Sequence, residues 1–194
     1  MRGQFKPNPQ VVPNMTIIPG LFSALNNRVS GKYYGILGGS IYTSTKGLIA
    51  DRLYAFPFFV VKSETFDRIA ISVSTEINPS AVRLGIYYDN GLGAPAALLL
   101  DAGAIDSSTT GVKALVINQL LLPGLYWLTM LTNGAITVTA YSECIDLTGI
   151  GSSSYISGCT NYYTPQAYGE LPNPHPSPDS DILSKAPAIA LRRA

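Results

Sequence analysis

Charge is scarce in this 194-residue chain: Lys, Arg, Asp and Glu together make up 13% of it, about half the share of an average soluble domain. The lone histidine, His175, lies in Asn173-Pro174-His175-Pro176. A Ser-His-Asp triad needs a base held rigidly between a nucleophile and an orienting acid, so His175 reads as a surface residue of a Pro-rich loop. The two cysteines, Cys144 and Cys159, stand in no CxxC or Cys/His spacing, which argues against zinc. No apolar leader opens MRGQFKPNPQVVP, so free thiols in a reducing cytoplasm are expected, with a pairing between the two left open. No Gly-x-Ser-x-Gly elbow, Walker loop or HExxH occurs. Apolar runs break at Pro57, Lys62 or Pro123 and are too short to span a bilayer, so no membrane insertion is expected.

What the chain has in quantity is period-two alternation. Ile69, Ile71 and Val73 alternate with Ala70, Ser72 and Ser74, and Val82, Leu84 and Ile86 alternate with Arg83, Gly85 and Tyr87. Such spacing puts one set of side chains on a buried face and the other on a solvated face of an antiparallel sheet. Asn78-Pro79-Ser80, Asp89-Asn90-Gly91 and Pro123-Gly124 supply the turns. The pattern predicts strands at Lys32–Gly35, Ser40–Tyr42, Arg52–Val61, Asp67–Thr75, Ala81–Tyr88, Ala97–Ala104, Gly111–Leu120, Gly124–Thr132 and Ile136–Tyr141. An all-β, jelly-roll-like antiparallel β-sandwich follows, in preference to a small up-and-down barrel. Pro57 inside Leu53–Val61 predicts an edge strand or a bulge. Leu125-Tyr126-Trp127-Leu128 is apolar on both faces, which predicts a central strand covered by the arm or a partner, with Trp127 in the core.

Residues 1–30 read as an extended N-terminal arm, because Pro7, Pro9, Pro13 and Pro19 forbid a continuous helix. One helical turn is predicted at Leu21–Leu25, ended by Asn26-Asn27. The domain takes residues 31–194, with a long loop region at 142–187 and a returning strand at 188–193. Pro172, Pro174, Pro176 and Pro178 give that loop a polyproline character. Arg2, Lys6, Arg28, Lys32 and Lys46 all precede the first acid, Asp51, yet the net charge is +1. Cations this dilute do not make a nucleic-acid patch. A soluble chain so poor in charge is expected to hide surface against partners, as a subunit of a larger assembly.

Asp89, Asn90 and Asp101 flank a Gly-rich loop whose oxygens suggest Ca²⁺, but an all-protein Ca²⁺ site wants about six or more of them. A turn in which Asp and Asn bond their own backbone is the reading taken. Glu64, Asp67 and Glu76 are isolated acids with no partner for glycoside hydrolysis. No enzyme, metal or cofactor is therefore expected. Aromatic rings anchor protein interfaces and stack on sugars, which makes Tyr87, Tyr88, Tyr162, Tyr163 and Tyr168 candidate partner-binding residues. From the arm, Arg2, Phe5, Lys6, Val12, Ile17, Ile18 and Phe22 join them.

Several segments carry a resemblance. They are Gly31-Lys32-Tyr33-Tyr34-Gly35, Ala55-Phe56-Pro57-Phe58, Thr65-Phe66-Asp67-Arg68-Ile69, Arg83-Leu84-Gly85-Ile86-Tyr87, the loop Asp89-Asn90-Gly91 to Pro95, Leu99-Leu100-Asp101-Ala102-Gly103, Gly111-Val112-Lys113, Pro123-Gly124-Leu125-Tyr126-Trp127-Leu128 and Tyr168-Gly169-Glu170-Leu171-Pro172. Together they resemble a jelly-roll-like domain of tailed-bacteriophage virion proteins, over roughly residues 31–194. The resemblance implies a non-enzymatic virion component assembled in the host bacterial cytoplasm: an accessory tail protein of fibre or adaptor type, with a capsid decoration protein or a carbohydrate-binding adhesion module as alternatives. It also implies other virion proteins as partners, a homotrimer, and a host surface glycan in the adhesion case. The chain has no heptad stalk, collagen-like repeat or triple-β-helix repeat, which sets it apart from long fibres.

Overall fold

A computed structural model describes residues 27–35, 44–141, 159–176, 179–183 and 185–194. The helical turn at Leu21–Leu25, the strand at Ser40–Tyr42 and residues 142–158 of the expected loop region lie outside them. The strands in chain order are β1 (Tyr33–Tyr34), β2 (Thr45–Gly47), β3 (Arg52–Val60), β4 (Glu64–Thr75), β5 (Ala81–Asp89), β6 (Pro95–Asp106), β7 (Gly111–Leu121), β8 (Gly124–Thr132), β9 (Thr137–Tyr141), β10 (Cys159–Pro165), β11 (Asp179–Leu183), β12 (Ala186–Pro187) and β13 (Ala190–Arg193). No helix occurs among the described residues.

The strands form two antiparallel sheets packed as a sandwich. Among the described residues one has seven strands, in the order β1-β13-β4-β9-β12 with β2 on β9 and β7 on β4; the other has six, in the order β11-β10-β3-β8-β5-β6. From β3 to β9 successive strands alternate between the sheets, except that β5 and β6 form a hairpin within one. The alternation is jelly-roll-like, and the hairpin is its one departure.

The core between the sheets follows from the alternation. Tyr54, Phe56, Phe58 and Val60 of β3, Val82, Leu84 and Ile86 of β5, and Leu128 and Met130 of β8 meet Ile69, Ile71 and Val73 of β4. A register irregularity between Phe66 and Arg68 shifts the phase of β4, so that Phe66 and Ile69, three positions apart, reach the same core. Pro57 sits in the half of β3 that β10 does not pair: β10 meets β3 only through Arg52–Ala55, while β8 runs along its whole length. The missing amide of Pro57 therefore removes no bond from an interior ladder.

Two expectations are corrected. Residues 142–187 do not form one long loop, since β10 and β11 add to the six-stranded sheet. The domain also begins before Gly31: Arg28 is 3% exposed and is held by Glu64 and Phe59.

Candidate functional site

The six-stranded sheet buries its outer face with the chain's own C-terminal segment. Leu53, Ala55, Tyr87, Trp127, Leu131, Tyr162 and Leu171 form a second buried cluster there, with Leu98 and Tyr168 at its margin. Leu171 lies directly on Gly85 of β5, where an added Cβ would stand 2.2 Å from Leu171 Cδ1 and 2.7 Å from the Leu100 carbonyl. Hydrogen bonds fasten the segment along its length. The Tyr168 amide donates to the Asp51 carboxylate at 2.8 Å and the Leu171 amide to Asp101 at 3.1 Å. The Tyr87 hydroxyl donates to the Pro172 carbonyl at 2.7 Å. Farther along, the Leu98 amide donates to Asn173 and the His175 amide to the Ala96 carbonyl. Among the described residues, the apolar outer side of β8 is thus covered by Tyr162 and the segment around Leu171.

The candidate tyrosines are redistributed accordingly. Tyr87 is fully buried, and burial, helped by the Asp101 charge, pushes its phenol well above the ordinary range. Tyr162 is buried as well, its hydroxyl donating to the Gly93 carbonyl and its ring against Trp127. Tyr163 is half-buried on β10 under the Arg52 guanidinium, 4.1 Å from its ring centre. Tyr168 is half-buried beside the second cluster. Only Tyr88 keeps a substantially open ring, tilted against Tyr126. Arg2, Phe5, Lys6, Val12, Ile17, Ile18 and Phe22 lie outside the described residues.

His175 is buried, not on the surface. It stands edge-on to Tyr87 with ring centres 5.0 Å apart. Its Nδ1 lies 2.6 Å from the Pro176 carbonyl, so Nδ1 carries the proton and Nε2, enclosed without a partner, is the bare nitrogen. Burial lowers its pKa, partly opposed by that hydrogen bond. The Asp89–Asn90 loop is a turn, as expected. Asp89 Oδ2 accepts from the Gly91 amide, and Asn90 Oδ1 accepts from the Leu92 and Ala94 amides. Gly91 and Gly93 take the positive φ values this requires. Asp89 Oδ1 also accepts the Trp127 indole proton at 2.9 Å.

The seven-stranded sheet is different. Among the described residues its outer face stays open in part, although Ala70 and Tyr141 are themselves buried. Ala70 and Ser72 of β4, Thr139 of β9, Ala188 and Ala190 form a small-residue floor between Tyr33, Tyr141 and Val112, leaving an apolar groove of about 280 Å³. Beside it, the outward side of β7 exposes Val112, Val116 and Leu120, with Leu122 just beyond the strand. One ion pair closes on this face: Arg192 donates two hydrogen bonds to Asp67, and that pairing holds the Asp67 carboxyl below its ordinary range. Tyr141 walls the groove, and burial raises its phenol to about 12. Contiguous open apolar surface is the kind that marks interaction sites, for protein, membrane or ligand.

The sequence reading missed this face because Val112, Val116 and Leu120 look like ordinary strand residues; their alternation with Ile117 and Leu121, which are buried, was the available signal. It also placed Arg28 in the arm. Among the described residues no helix is long and apolar enough to cross a membrane. Comparisons with protein-family models, curated proteins and solved structures give no match for this chain.

Proposed function

We propose that the chain is a non-enzymatic structural subunit of a tailed-phage virion, an accessory tail component that docks on neighbouring subunits through the outer face of its seven-stranded sheet. The observation that carries the docking role is the asymmetry of the sandwich. One outer face is sealed by the chain's own segment around Leu171; the other exposes Val112, Val116 and Leu120 beside an apolar groove. The placement in a tailed-phage particle rests on the sequence resemblance alone. The low charge content supports an assembled state, because open apolar area on a freely diffusing chain favours nonspecific association. The fibre or adaptor role is preferred to an adhesion module because Tyr87 and Tyr162 are buried and present no ring face to a sugar.

An antibody raised against the chain, applied to particles released by the host that carries its coding sequence, tests this reading. Labelling at the tail is the expected result. Labelling of free heads would move the protein to the capsid as a decoration subunit. Chain that remains in the soluble fraction and marks no particle would overturn the virion assignment.

A further inference from the structure

The edges of the two sheets are treated as differently as their faces. On the six-stranded sheet, the outer strand β6 is partly closed by the C-terminal segment, which bonds Ala96 and Leu98. On the seven-stranded sheet, β7 runs 11 residues with β4 on one side and, among the described residues, no strand on the other. Natural proteins blunt such an edge with short length, proline, bulges or charge, lysine above all. β7 contains no proline, its register irregularity lies beyond Val116, and its one charge, Lys113, turns its ammonium back onto the Thr109 hydroxyl just before the strand. Its register with β4 is regular from Gly111 to Val116, so among the described residues this stretch presents an even row of backbone donors and acceptors with no strand opposite. Another extended strand satisfies the whole row at once.

We propose that two copies of the chain pair edge to edge through β7, antiparallel about a two-fold axis at Ala114. This rests on the docking-face reading and names a second copy as the occupant of the edge. The symmetry sets Val112 opposite Val116 twice, Ala114 opposite itself and Lys113 opposite Leu115. The two most exposed apolar side chains of the strand, 71% and 73% open, then cover each other as cross-strand apolar pairs. No like charges stand directly opposite, and the Thr109 contact draws the Lys113 ammonium away from the axis. The second copy's Val116 also extends the apolar rim of the groove beside Val112, so the paired molecules share one continuous outer face. An isologous contact of this kind closes on itself and does not grow into a fibre.

The test is disulfide trapping of Ala114→Cys in a full-length background carrying Cys144→Ser and Cys159→Ser. Leu92→Cys, on an open loop of the other sheet, serves as the collision control. Pairing raises the effective concentration of the two thiols, so the Ala114→Cys dimer should form roughly tenfold or more faster than the control, and adding Val116→Lys should abolish that advantage. Equal rates for the two cysteines would overturn the proposal. So would trapping that appears only in a chain beginning at Asn27, since the arm would then be the occupant of β7. If trapping fails while the antibody still marks the tail, the β7 pairing falls and the virion role stands; if trapping succeeds and no particle is marked, the reverse holds.

Discussion

The Arg28 guanidinium meets the Glu64 carboxylate at 2.8 Å with both side chains closed off from solvent. The same guanidinium donates to the Phe59 carbonyl at 2.6 Å and lies 4.7 Å from the centre of the Phe58 ring. Arg193 approaches the other Glu64 oxygen, and its guanidinium donates to the Arg28 carbonyl. The point where the arm meets the domain is therefore fixed by a buried charge pair that also holds the last strand. Removing one partner leaves the other charged in a closed site, which costs more than the pair itself contributes. Arg28→Ala should lower unfolding stability by about 3–5 kcal/mol in urea titrations. The double change Arg28→Met, Glu64→Leu should recover most of that loss. Truncations meant to isolate the arm should begin at Asn27, not at Gly31.

Gly85 gives Leu171 its seat. A methyl group there meets a backbone carbonyl as well as a side chain, so it cannot be absorbed by a rotamer change alone. Gly85→Ala should cost about 1–3 kcal/mol by overpacking, and amide exchange should quicken first between Tyr168 and His175. An unchanged exchange rate in that segment would mean that it is not held by β5.

Tyr87→Phe keeps the ring in the second cluster and removes the donor to the Pro172 carbonyl. The expected loss is about 1–2 kcal/mol, one hydrogen bond and the partial desolvation of its acceptor. Phage or cell binding, if any is found, should be unaffected, because the ring is not at the surface.

The pH dependence near neutrality should belong to His175. Its folded pKa is lowered by burial, so the unfolded chain takes up its proton first as pH falls. Stability from this group is complete above the unfolded value of 6.5 and is lost as pH drops from there toward the folded value. The physical cost is a proton on Nε2, which has no acceptor. The Asp67 and Asp106 carboxyls are also lowered, by Arg192 and Ser108, but their contributions are lost only below 3.8. Urea midpoints measured between pH 6.5 and 3.8 should fall in the wild type and stay level in His175→Gln. Equal slopes in both would contradict the assignment.

The strands of the sandwich were legible wherever alternation and turn residues agreed, as in Val82-Arg83-Leu84-Gly85-Ile86 and the Asp89–Asn90 turn after it. Trp127 was legible as core from its neighbours on a doubly apolar strand. β10 was not, because Asn161-Tyr162-Tyr163 carries no alternation and is flanked by Gly, Ser and Pro, residues that ordinarily mark loops. Its strand character comes from pairing with Arg52–Ala55, far away in sequence. The burial of His175 and Tyr87 has the same origin: a Pro-rich segment looks exposed until a groove of matching shape, here above Gly85, takes it in. Arg28 looked like an arm cation because its acid partner lies 36 residues on.

Light scattering on the full-length chain and on Val116→Lys tests most directly whether the outer face of the seven-stranded sheet builds assemblies. A mass that is a multiple of 20.7 kDa, falling to the monomer in the variant with an unchanged melting temperature, is the predicted result. A wild-type chain that stays at 20.7 kDa at every concentration, or a multimer that Val116→Lys leaves intact, would contradict it.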